Sequence, residues 1–66
     1  GQDSELRETA VVLANRALET GESQEVGPLN PYARRIVHLT VAEIADVSSE
    51  SVGDAFKKTV VISAGE

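Results

Sequence analysis

The chain has no cysteine, methionine or tryptophan, and it holds one tyrosine, one phenylalanine and one histidine among its 66 residues. Each shortage excludes something. Without cysteine there can be no disulfide framework, and with a single histidine the usual structural zinc sites cannot be assembled. With Tyr32 and Phe56 as the only aromatics, the core has to be built from Val, Ile, Leu and Ala. No apolar run approaches the roughly 18 residues of a membrane span, and no apolar signal segment opens the chain. The expected setting is therefore cytoplasmic, with no membrane partner. At this length residues 1–66 make one domain, near the lower limit for an unaided core, because folding buries only about 60% of the surface that the unfolded chain exposes.

Positive charge is also scarce: six basic residues stand against eleven acidic ones, a net charge of −5. It is unevenly spread. Residues 1–33 hold Arg7 and Arg16 against six acids, whereas residues 34–66 hold Arg34, Arg35, Lys57 and Lys58 against five. The four later basic residues come as two adjacent pairs. Exposed charges are screened beyond about 8 Å at physiological ionic strength, so this clustering matters more than the sum.

Hydrophobic periodicity predicts a first helix over about Ser4 to Thr20, capped by Asp3 or Ser4 and closed by Gly21. Leu6, Ala10, Leu13, Ala14 and Ala17 form its apolar stripe, with Val11 and Leu18 at the margin. Residues 23–29 read as a short extended segment, placed at a sheet edge because Gly27 and Pro28 would weaken a central strand. Asn30 as cap and Pro31 in the first turn then start a second helix, to about Ile44. With Tyr32 as zero and about 100° per residue, Leu39, Ile36, Ala33, Ile44 and Val37 spread from roughly −20° to 140° as the expected core stripe. On the same wheel Arg34 falls near 200°, His38 near 240° and Arg35 near 300°, on the expected solvent side. Arg34 and His38, four positions apart, are neighbours on the helix surface.

Residues 46–52 and 56–63 read as a closing β-hairpin around Gly53-Asp54. In the second strand Phe56, Lys58, Val60 and Ile62 fall on one face and Lys57, Thr59, Val61 and Ser63 on the other, which expects Phe56 in the core with Val60 and Ile62. The order α-β-α-β-β predicts an α+β two-layer sandwich, with two helices on one face of a three-stranded sheet.

Equipment for catalysis is missing from the sequence. The one histidine has no carboxylate near it in sequence to orient it as a base, and no glycine-rich loop of the right spacing exists to cradle a phosphate. The expectation is a non-enzymatic domain with no cofactor and no metal. Binding chemistry is better represented. Arginine can form paired hydrogen bonds to a phosphate or stack on a base, and histidine can donate to a phosphate or stack as a flat ring. Taken alone, Arg-x-x-x-His on a wet helix face is a weak pattern that ordinary surface polarity also produces.

The stretch from Leu29 to Ile62 makes the pattern more specific. It resembles the R-3-H domain, named for an Arg and a His with three residues between them. It is closest to the type at the C-terminus of bacterial Jag proteins, where the domain follows a KH-type domain. That type runs close to NPYERRIVH, then T-E-S-x-G, then a basic strand ending R-R-V-V-I. Here Asn30 to His38 read NPYARRIVH, Ser49 to Gly53 read SESVG, and Lys58 to Ile62 read KTVVI. The resemblance implies binding of single-stranded RNA or DNA, with Arg34 and His38 as the signature pair and Arg35 beside them. Lys57 and Lys58 extend the basic surface. It also implies a KH-type domain elsewhere in a longer parent chain, and the isolated domain is expected to be a monomer. Thr59 stands where the resembled strand carries a second Arg, so the basic strand is weaker here. A protein-interaction role on the same scaffold is the alternative, favoured by the acidic balance.

Overall fold

The computed structural model describes residues 2–65. Its elements run α1 (Gln2–Thr20), β1 (Gln24–Leu29), α2 (Pro31–Ala42), β2 (Val47–Val52) and β3 (Lys58–Ala64). The strands form one antiparallel sheet in the order β1-β3-β2, so β1 is an edge strand, as Gly27 and Pro28 predict. Both helices cover the face that carries Val60 and Ile62. The α+β two-layer architecture expected from the sequence is the one observed.

The core is built almost entirely from small and branched aliphatics. Ala10, Ala14 and Ala17 of α1, Val37 and Val41 of α2, and Val60 and Ile62 of β3 are fully or almost fully buried. Leu6, Leu13, Val26, Leu29, Ile44 and Val47 close its margin. Alanines along one stripe of α1 let its backbone approach α2 and β3, so a domain with few large side chains still excludes water. Burying each Val or Ile contributes roughly 1.5–3 kcal/mol.

The start of α2 follows its sequence signals closely. Asn30 is extended (φ −71°, ψ 169°), its Oδ1 accepts from the Ala33 N–H at 2.8 Å, and Pro31 opens the helix. Gly21 closes α1 with φ +77°, donating its N–H to the Ala17 carbonyl at 2.8 Å. In β1 the pairing with β3 breaks register between Val26 and Leu29. There Gly27 (φ +125°) lies so close to β3 that an added Cβ would stand 3.1 Å from the Lys58 carbonyl oxygen. Only glycine fits that approach.

Four expectations need correction. Helix α1 begins at Gln2, so Asp3 and Ser4 lie inside its first turn and neither caps it. The buried arc of α2 is rotated from the expected one: Val37, Thr40 and Val41 face the core, whereas Tyr32 is 60% and Leu39 49% exposed. Thr40 can serve there because its hydroxyl donates back to the Ile36 carbonyl at 2.8 Å, which hides its polarity. Ile36, expected at the centre of the stripe, is only half-buried. Finally, β3 begins at Lys58, so Phe56 lies in the connecting loop and is 71% exposed instead of joining Val60 and Ile62.

Candidate nucleic-acid interface

The rotation of α2 decides what the basic residues do. With the core centred on Val37 and Val41, Arg34 and His38 stand at the edge of the buried arc and are half-buried. The expected open solvent face is in fact the seam where α2 meets β2. Ser49 and Ser51 alternate with exposed Ser48, Glu50 and Val52, so both point to the helix side of the sheet. His38 fills the space between them. Its Nδ1 is 2.6 Å from the Ser49 Oγ and its Nε2 is 2.8 Å from the Ser51 Oγ.

This clamp fixes the imidazole by both polar edges. A hydroxyl can donate or accept, so two serines satisfy the ring in its neutral and in its protonated form. In one neutral arrangement Ser49 donates to Nδ1, and the Nε2–H donates to Ser51. The Ser51 hydroxyl hydrogen is then left to point outward. The sequence reading expects His38 to meet a ligand directly; in the structure both of its ring nitrogens lie within hydrogen-bond distance of serine hydroxyls. Ser49 and Ser51 were missed as participants. The signal was present in the alternation of SSES, which puts two small hydroxyls on the face where a core strand would carry aliphatics.

Beside the clamp lies an open groove of about 440 Å³, lined by Pro31, Arg34, Arg35, His38, Leu39, Ser51 and Lys58. Three elements supply it. The flank of α2 gives half-buried Arg34 and exposed Arg35, β2 gives Ser51, and the first residue of β3 gives Lys58. Lys58 shares the helix-side face with Val60 and Ile62 but lies beyond the last core residue, at the mouth of the sheet. The groove therefore gathers Arg34, Arg35, His38 and Lys58 and contains no carboxylate. Lys57 is exposed in the preceding loop and does not line it.

Residues 4–64 match the family of the R-3-H domain. The chain belongs to that family. It is also 35% identical over 57 residues to the RNA-binding protein KhpB of two strains of Streptococcus pneumoniae, D39 and R6. That match covers 86% of this chain but 17% of each relative, so the chain spans a small part of their length. Within this R-3-H domain, the Arg34 and His38 pair lies where α2, β2 and β3 converge on the groove. Among the described residues no helix is long and apolar enough to cross a membrane, and no cluster of His, Asp and Glu could hold a metal ion.

Proposed function

We propose that this domain binds single-stranded nucleic acid in the α2–β2–β3 groove, with RNA the ligand that its relatives' name supports. The observation that carries the reading is the convergence of Arg34, Arg35 and Lys58 around a groove without acidic residues, in a chain of net charge −5. Each guanidinium can hold a phosphate through two parallel hydrogen bonds, and Lys58 adds a point charge. In the arrangement where the Nε2–H donates to Ser51, the hydroxyl of Ser51 is free to donate to the same phosphate. His38 then acts chiefly as a positioning residue: it ties α2 to β2 and so fixes Arg34, one turn earlier, against the groove. Lys57, outside the groove, contributes less than Lys58.

The proposal includes a non-catalytic role. It also places the domain in the cytoplasm, as a monomeric unit beside a KH-type domain in a longer chain. A single phosphate-binding groove on a small domain gives modest affinity, which a neighbouring module on the same chain would raise by increasing effective concentration.

Titration of a labelled single-stranded oligonucleotide, followed by anisotropy at several salt concentrations, tests the reading. Three groove cations at about −0.7 each give a slope of log K against log salt near about −2, with a dissociation constant of about 10⁻⁴–10⁻⁶ M. Arg34→Gln should weaken binding by at least about 10-fold and reduce the slope by about 0.7, since a charge-assisted hydrogen bond contributes roughly 1.5–3 kcal/mol. Arg7→Gln, on α1, should change neither. An interaction indifferent to salt and to Arg34 would favour a protein partner instead.

A further inference from the structure

The two aromatic residues, both expected in the core, are both exposed, but in different circumstances. Tyr32 does not line the groove and is held by α1: its hydroxyl donates to the Asp3 carboxylate, 3.0 Å from Oδ1 and 2.8 Å from Oδ2. Phe56 is 71% exposed, the most exposed of the large hydrophobic side chains. It sits in the loop of residues 53–57 that joins β2 to β3. Chain connectivity puts that loop beside the groove, because Ser51, two residues before it, and Lys58, the residue after it, both line the groove. Two peptide units separate Phe56 from Lys58, so their Cα atoms are at most about 7 Å apart.

From this placement we infer that Phe56 is a stacking platform for one unpaired nucleobase of the strand whose phosphates lie in the groove. The inference rests on the groove reading and adds a base subsite to it. An exposed phenyl ring loses nothing by leaving water when a base covers it, and any base can cover it because every base has a π-face. Cations alone do not distinguish a single strand from a duplex, since both present phosphates. A ring that needs an unstacked base does, because duplex bases are already stacked on one another. The groove and the loop beside it would thus divide the work: Arg34, Arg35 and Lys58 hold the backbone, and Phe56 selects strands with free bases.

The chain lacks tryptophan, which makes the test direct. Phe56→Trp introduces one indole whose fluorescence should be quenched as a short single-stranded oligonucleotide saturates the groove, with affinity kept or raised. Phe56→Ala should weaken binding of that oligonucleotide by between about 5-fold and about 150-fold, the range for losing one base–aromatic stack. An abasic oligonucleotide of the same length should bind Phe56→Ala and the wild-type chain alike. If Phe56→Ala binds within about two-fold of wild type while Arg34→Gln loses affinity, the stacking inference falls and the groove reading stands. If the wild-type chain binds no oligonucleotide, both fall. Thermal melting completes the set: a loss of stability in Phe56→Ala as large as that in Ile62→Ala would make Phe56 a core residue and overturn the inference.

Discussion

The groove beside α2 and the surface of α1 next to the end of α2 are depressions of similar size, about 440 and about 400 Å³, with opposite chemistry. The first carries Arg34, Arg35, Lys58 and two side chains of a hydrogen-bonded clamp, with no acid. The second is lined by Arg7, Glu8 and Glu43 together with Val11, Val12 and Thr40. The open face of the sheet, on the opposite side of the domain, is acidic too, since Glu25 and Glu50 flank Val61 from the two neighbouring strands. A net charge of −5 therefore describes no surface of this molecule well. Because screening limits each charge to about 8 Å, a polyanion at the groove meets three cations locally, while the other faces repel it. The acids do not oppose binding so much as restrict it to one face and one side of the domain.

The largest expected effect comes from a residue beneath both regions. Ile62 is fully buried where α1 and α2 meet β3, so Ile62→Ala should destabilise the domain by about 2–5 kcal/mol. A chain of this size has a total stability of roughly 3–10 kcal/mol, so the groove and the α1 surface should be lost together. Ile36→Ala, at the half-buried margin of α2, should cost only about 1–2 kcal/mol and leave binding measurable. Chemical denaturation of both variants checks the order. The reverse order would mean that the core of α2 is centred on Ile36 and that Arg34 faces open solvent after all.

Smaller effects should separate the clamp from the cations. Ser49→Ala and Ser51→Ala each leave one nitrogen of a half-buried imidazole without its partner, at a cost of about 1 kcal/mol apiece. Ser51 also lines the groove and Ser49 does not. Denaturation should therefore find the two variants alike, whereas oligonucleotide titration should find Ser51→Ala the weaker binder. Ser48→Ala, on the open face, should match wild type in both measurements. Equal affinities for Ser49→Ala and Ser51→Ala would confine both serines to positioning His38.

How much of this was legible in the sequence depends on the kind of signal. Asn30-Pro31 fixed the start of α2 because capping is local chemistry, and Gly27-Pro28 placed β1 at the edge because a missing donor is a local fact too. The alanine stripe of α1 was read correctly because Ala10, Ala14 and Ala17 recur at helical spacing in line with Leu6 and Leu13, while Val11, Val12 and Leu18 fall off that line and stay exposed. On α2 the largest apolar side chains, Tyr32 and Leu39, drew the expected core towards themselves. The actual arc is set by the pair of surfaces that α2 must meet, α1 and β3, and it selects Val37, Thr40 and Val41. That choice is tertiary, and of the three only Val37 had a place in the stripe expected from hydropathy. The same rotation brought His38 to Ser49 and Ser51, across 11 and 13 positions of sequence, so the clamp could not be read from spacing on one helix. Phe56 was misassigned by extending the alternation of β3 back to two residues before its start.

The smallest expected effect lies on the contact that joins the two regions. Asp3 in the first turn of α1 accepts the hydroxyl hydrogen of Tyr32 in the first turn of α2. That hydrogen bond, with the negative charge of the carboxylate behind it, holds the phenol above the usual tyrosine range. The folded state therefore binds this proton more tightly than the unfolded chain does. Whatever the contact contributes to stability is complete below the ordinary tyrosine pKa and is lost as pH rises through the raised one. Because Tyr32 is the only tyrosine, the phenolate absorbance of the whole chain reports this one group. The native titration midpoint should lie above that of the chain in denaturant, and Asp3→Ala should bring the two together. Oligonucleotide binding should not change in Asp3→Ala, because Tyr32 and Asp3 lie outside the groove. Coincident native and denatured midpoints in the wild-type chain would show that α1 and α2 are not joined here. A loss of binding in Asp3→Ala would show that the acidic and basic regions are coupled through their seam, and the division drawn between them would have to be given up.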